Sequence, residues 1–271
     1  MVIILEALGV VVVGYLLVVA ALAMMQRSMI YHPGHDRIEP AEVGLDRMVP
    51  VPVRATDGWI VTGWYAPPSD TRAPTVVFFH GNGGTVANRA RKARAILEAG
   101  YGLYLVGYRG YGGNPGRPSE KGLCADGRGV MQWFTTRGLT EAQLVLYGES
   151  LGSGVALQMA LEHPDVAAVV LEAPFTRLPD LAPPILLPGL AELLMVDTFD
   201  NIAKIPAVKA PLLVVHGEKD TVVPAAMGRK LLNAAESIKE GVFLPDAGHN
   251  DVWEQGGDNA ALDFLQKRVR Q

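Results

Sequence analysis

Ser150 sits at the centre of Gly148-Glu149-Ser150-Leu151-Gly152, between an apolar run at 143–147 that reads as a buried strand and a run at 154–161 that reads as a buried helix. A serine on a sharp strand-to-helix turn needs glycine two residues to either side, because a Cβ there would meet the neighbouring strand and helix. The turn strains the serine backbone and lifts its hydroxyl out of the sheet, and the following helix aims its positive end at the place where an oxyanion would form. In a chain with 30 glycines this pattern alone says little. A neutral serine is also a poor nucleophile, so it needs an imidazole base, and the imidazole needs a carboxylate to hold its tautomer. Both types follow in order. The apolar strand at 211–215 runs out through His216-Gly217-Glu218-Lys219 to Asp220, and a short strand at 241–245 is followed by Gly248-His249. Ser150, Asp220 and His249 each lie just past a strand end, where a parallel sheet presents its reactive groups.

Other residues compete for these roles. Glu172 follows the next strand, and Asp246 and Asp251 lie close to His249; Asp220 is preferred because it directly follows a strand and its turn. Ser153 is the second serine, but it falls inside the helix and is expected to point away. The strand at 75–79 ends in His80-Gly81-Asn82-Gly83-Gly84, whose small residues let a backbone N–H approach a carbonyl. The Asn82 amide, with Gly83 next, and the Leu151 amide are the candidate oxyanion donors. His80 and His216 are expected to pack and hydrogen-bond beneath their turns, and Glu149 to hydrogen-bond backbone at the elbow. The glycine-rich stretch 107–116 fits neither a dinucleotide fingerprint nor a P-loop, so Arg109 is expected to pin neighbouring carbonyls. The six histidines are scattered without ligand spacing, so no metal is expected, and Cys124 reads as a small buried apolar residue.

Together, His80-Gly81-Asn82-Gly83-Gly84, Gly107-Tyr108-Arg109-Gly110-Tyr111-Gly112, Gly148-Glu149-Ser150-Leu151-Gly152, His216-Gly217-Glu218-Lys219-Asp220 and Gly248-His249 resemble the membrane-anchored serine α/β-hydrolases, a group that includes depalmitoylase-type α/β-hydrolase-domain proteins and bacterial relatives. The resemblance runs from Gln26 to the last helix. It implies a triad of Ser150, Asp220 and His249 and hydrolysis of an ester or thioester, a two-step acyl transfer that needs no cofactor. It leaves the substrate open. A serine nucleophile argues against the dehalogenase and epoxide-hydrolase versions of the fold, which use aspartate. A peptidase is disfavoured because nothing marks a site for a substrate amino terminus. The reading from another class is a non-catalytic, membrane-anchored lipid-binding or partner-docking module on the same fold.

The elements that must position these residues alternate in type. An antiparallel hairpin at 48–53 and 59–65 precedes strands and helices in turn, which argues a mostly parallel central sheet with helices on both faces, the α/β-hydrolase fold. Helices are expected at 89–99, from Ser119 through Phe134, at 224–237 and at 259–269, and a strand at 166–171. The segment 173–209 holds Pro174, Pro179, Pro183, Pro184, Pro188 and Pro206, a density that breaks long helices, so it is expected to form a small cap of short helical pieces. Its leucines are expected to pack on the sheet, line an acyl pocket or rest on a bilayer, with Asp197 and Asp200 on a solvated rim.

Residues 7–25 carry no charge and are long enough to cross a bilayer as a helix. A core helix fits poorly with a run apolar on every face. A cleaved signal is suggested by Ala21-Leu22-Ala23, but Glu6 stands where a basic region belongs. A retained anchor over 1–26, followed by one catalytic domain over 27–271, fits best, and Arg27 after the segment favours a cytoplasmic catalytic domain. Apolar residues make up 49% and charged residues 19%, ample for a core, and a net charge of −4 gives no electrostatic case for nucleic acid. The expected partners are therefore an acyl substrate and the bilayer; the sequence is silent on oligomeric state.

Overall fold

The computed structural model describes residues 2–182 and 189–269. The chain opens with α1, Val2–Ile30, a single helix of 29 residues. Within it Leu8–Ile30 is long and apolar enough to cross a membrane, and only 6% of its most apolar window is buried against the rest of the protein. The expected junction between Gln26 and Arg27 falls inside this helix, which continues unbroken to Ile30.

The hairpin is β1, Val49–Arg54, and β2, Ile60–Ala66. The alternation then begins: β3, Thr75–Phe79; α2, Ala90–Glu98; β4, Gly102–Leu105; α3, Glu120–Thr135; β5, Leu144–Glu149; α4, Gly152–Glu162; and β6, Ala168–Glu172. After the cap segment come β7, Leu212–Gly217; α7, Ala225–Ala234; β8, Lys239–Leu244; and α8, Asp258–Val269. The strands form one eight-stranded sheet in the order β8-β7-β6-β5-β3-β4-β2-β1, parallel except where β2 pairs with β1 and β4. A fully buried central strand is apolar on both sides, and its side chains alternate between two separate cores. Val77 and Phe79 of β3 and Leu146 of β5 join one core with Leu123, Val155 and Leu157 from α3 and α4. Val76, Phe78, Val145 and Tyr147 join the other with Ile96 and Phe264 from α2 and α8. Helices therefore cover both faces, and the central strands β3, β5, β6 and β7 are buried on both sides, while β8, which leads to His249, is a half-exposed edge strand.

The cap segment is made of short pieces, as its prolines dictate: a 3₁₀ turn at Leu178–Leu181, the helices Leu190–Leu194 (α5) and Asn201–Lys204 (α6), and a 3₁₀ turn at Ile205–Ala207. Pro183, Pro184, Pro188 and the run Ile185-Leu186-Leu187 lie outside the described residues. The solvated rim holds only in part. Asp197 is buried and accepts from Arg27 Nε at 3.0 Å and from the Tyr31 hydroxyl at 3.0 Å, while Asp200 caps α6 through the Ala203 N–H at 3.1 Å. Asp200 stays half-exposed at its helix end, whereas Asp197 is taken up by donors 170 and 166 positions away, which a sequence cannot bring beside it. Arg109 likewise holds carboxylates rather than carbonyls, reaching Asp57 in the hairpin turn at 2.6 Å and the fully buried Asp126 of α3 at 2.7 Å. A planar guanidinium matches two carboxylates better than it matches carbonyl lone pairs.

Candidate active site

Ser150 occupies the turn from β5 into α4 with φ at +49°, a left-handed conformation that costs a non-glycine residue energy. The surrounding backbone fixes it: Ser150 N–H donates to the Glu172 carbonyl at 2.8 Å, and the Ser150 carbonyl accepts from the Ser153 N–H at 2.9 Å and the Ser153 hydroxyl at 2.6 Å. Ser153 thus braces the elbow, facing away as expected. The flanking glycines are required by contact. A Cβ on Gly148 would come within 2.5 Å of the Ser153 Cα, and one on Gly152 would overlap the Phe79 carbonyl oxygen.

From this turn the Ser150 hydroxyl stands 3.0 Å from His249 Nε2, and His249 Nδ1 stands 2.7 Å from Asp220 Oδ2. An ionised carboxylate can only accept, so Nδ1 carries the proton and Nε2 is free to accept from the serine. Asp220 in turn is fixed by the N–H groups of Val222 at 2.8 Å and Val223 at 2.7 Å on its other oxygen. Burial alone would raise its pKa; the hydrogen bonds from His216, His249 and Val223 outweigh it and hold the carboxyl well below the usual carboxylate range. A hydroxyl in line with a neutral imidazole and a buried carboxylate is equipped for attack on a carbonyl.

His216 packs in the core, as expected, but it also touches this relay. Its Nε2 lies 2.8 Å from the Val223 carbonyl and 3.2 Å from Asp220 Oδ2, two acceptors that require the proton on that nitrogen. His80 donates from Nδ1 to the Gly81 carbonyl at 2.7 Å and packs on Tyr108 and Tyr111; burial, then the nearby Arg89 charge, lower its pKa to about 3. The competing acids are engaged elsewhere. Glu172 accepts from the Tyr147 hydroxyl and from Lys92 Nζ, both at 2.6 Å, Asp246 pairs with Lys219, and Asp251 accepts from the Gly248 N–H.

Glu149 departs from expectation in part. It accepts one backbone N–H, from Gly81 at 3.3 Å, but its main partners are Arg89 at 2.5 Å and Lys92 at 2.7 Å. Burial works against the charged carboxylate, yet Lys92 and Arg89 together hold its pKa well below the usual range. Sequence reasoning missed this cluster. Its signal was two cations three residues apart, at the start of a helix whose other inward residues are Ala93, Ile96 and Leu97.

Asn82 and Leu151 line the same cavity as Ser150 and His249. The Asn82 peptide is held on three sides: its carbonyl accepts from His32 N–H and the Tyr111 hydroxyl, and its side-chain amide donates to the Ile30 carbonyl at 3.0 Å. Leu151 precedes the first turn of α4, where N–H groups have no intrahelical acceptor. The cavity has a volume of about 420 Å³, and its wall is mainly apolar, including Phe175, Leu178, Leu194 and Val223. Among the described residues no group of three or more His, Cys, Asp or Glu is arranged to hold a metal ion.

A family model described as serine aminopeptidase, S33 matches residues 70–197, which include the Ser150 elbow. An uncharacterized protein of Mycobacterium tuberculosis is 39% identical over 229 residues, covering 83% of this chain and 81% of the relative. The α/β-hydrolase domain-containing protein WAV2 of Arabidopsis thaliana is 29% identical over 96% of this chain and 92% of its own length. The chain belongs to the α/β-hydrolase family. The solved esterase Pf2001 of Pyrococcus furiosus, 17% identical, superimposes on this hydrolase with a TM-score of 0.69 over 88% of the chain and 99% of the esterase, which supports the fold. Ser150, His249 and Asp220 lie beyond the C-terminal ends of β5, β8 and β7.

Proposed function

We propose that this hydrolase cleaves carboxylic ester or thioester bonds of acyl, lipid-like substrates through an acyl-serine intermediate. The observation that carries this reading is the hydrogen-bonded series Ser150–His249–Asp220 at the wall of an apolar cavity. His249 accepts the Ser150 proton as Oγ attacks the substrate carbonyl, and the Asn82 and Leu151 N–H groups receive the oxyanion. The leaving alcohol or thiol takes the proton back from His249. Water, deprotonated by the same imidazole, then attacks the acyl-serine and releases the acid.

The family model's description names an aminopeptidase, but a substrate amino terminus needs a carboxylate to receive it. Among the described residues lining the cavity there is no Asp or Glu. An apolar acyl chain suits that lining better. The uncharged length of α1 supports a retained membrane anchor, with residues 27–271 as the catalytic domain. Purified protein is expected to label with a fluorophosphonate and to turn over nitrophenyl esters and acyl thioesters, both activities disappearing in Ser150→Ala. Wild-type protein that neither labels nor turns over in liposomes would refute the reading.

A further inference from the structure

The last turns of α1 are part of the cavity that holds Ser150. Val19, Leu22, Ala23 and Gln26 repeat at helical spacing on one face, and that face lines the cavity. The contact is built: Gln26 Nε2 donates to the Leu194 carbonyl at 3.2 Å and its Oε1 accepts the Val196 N–H at 2.8 Å, beside the adjacent Arg27–Asp197 pair. Exposed apolar side chains beside the cavity include Met24 and Met25 on α1 and Leu193, Val196 and Val222 on the domain.

The charges locate this wall in the bilayer. Glu6 and Arg27 bracket residues 7–26, which as a helix rise about 30 Å, the thickness of the hydrocarbon core. Val19 precedes Arg27 by eight residues and so lies about 12 Å deeper. A cavity with one wall at that depth is reached from the lipid, where an acyl chain already resides.

We propose that α1 is the inner wall of the acyl site and opens it to the bilayer, so that the hydrolase draws an acyl lipid sideways from its own leaflet, with Val19, Leu22 and Ala23 gauging the chain. The proposal rests on the serine-hydrolase and anchor readings above. Substrate selection is then a property of the membrane helix as much as of the soluble domain.

The test uses the full chain in phosphatidylcholine vesicles carrying nitrophenyl esters from butyrate to palmitate. Wild type is expected to gain about fourfold in kcat/KM per added methylene until the cavity is filled. Ala23→Trp should move the optimum to shorter chains and Leu22→Ala to longer ones, while Leu17→Trp, on the exposed side of α1, keeps the wild-type profile. Nitrophenyl palmitate supplied in separate, protein-free vesicles should be hydrolysed at least tenfold more slowly than nitrophenyl palmitate in the enzyme's own bilayer. An unmoved optimum in both cavity variants that still turn over, or equal rates from both vesicle populations, overturns the proposal alone. Loss of all wild-type labelling and turnover removes the hydrolase reading and this one with it.

Discussion

Asp220 gathers four donors on two oxygens: the Val222 and Val223 N–H groups, His249 Nδ1 and His216 Nε2. Asp220→Asn offers His249 an amide that can donate, which favours the wrong imidazole tautomer; kcat is expected to fall roughly 10³–10⁴-fold, with the fold retained by circular dichroism. His80 gives a stability prediction with a definite sign. Folded it titrates near 3 and unfolded near 6.5, so between those values the unfolded state binds the extra proton and stability falls as pH drops. The slope approaches about 1.4 kcal/mol per pH unit. Tm should therefore decline from pH 6.5 downward, and His80→Gln should flatten that limb. Asp220, depressed in the folded state, adds its own loss only at lower pH, below the ordinary carboxylate range. That Ser150, His249 and Asp220 come together was legible in the sequence, because the proposed chemistry prescribes their types, their order and their places after strands. Lys92, Arg89 and the Asp197 latch were not, because an ion pair is set by tertiary approach between residues that carry no local pattern.

The elbow and the hairpin are where single substitutions act on whole elements. Gly152→Ala drives a methyl into the Phe79 carbonyl, and backbone cannot rotate aside as a side chain can. We expect a loss of about 3 kcal/mol or more in chemical denaturation, and activity reduced at least 100-fold because the elbow and the Asn82 loop move together. Arg109→Met leaves Asp126 buried without its partner, which should cost about 3–5 kcal/mol and loosen the hairpin from α3. The identities of the long strands and helices were readable from periodicity, with differences at their ends: α2 begins at Ala90 after a 3₁₀ turn, and α7 stops at Ala234 rather than at Ser237. The short pairing of His32–Pro33 with Gly83–Gly84 was not readable. The cap was readable only as proline-broken. Which of its side chains face the cavity depends on α1, and no periodicity within the cap encodes that.

For the whole molecule, the junction between α1 and the cap decides how far the helix and the domain move as one body. Asp197→Ala strands the buried Tyr31 hydroxyl and frees Arg27, at a cost of about 1–3 kcal/mol. Hydrogen exchange across 189–199 should accelerate while β3 and β5 keep their protection. The same junction joins residues 170 positions apart, and at roughly 5–20 residues per second the ribosome reaches Asp197 about 10–35 s after Arg27. During that interval α1 can already sit in the lipid, its Gln26 and Arg27 waiting for a cap that has not been translated. Asp220 and His249 come later still. With α1 as the proposed anchor, the enzyme is born beside its proposed substrate pool yet stays inert until the final third of the chain emerges, a timer written into the order of synthesis.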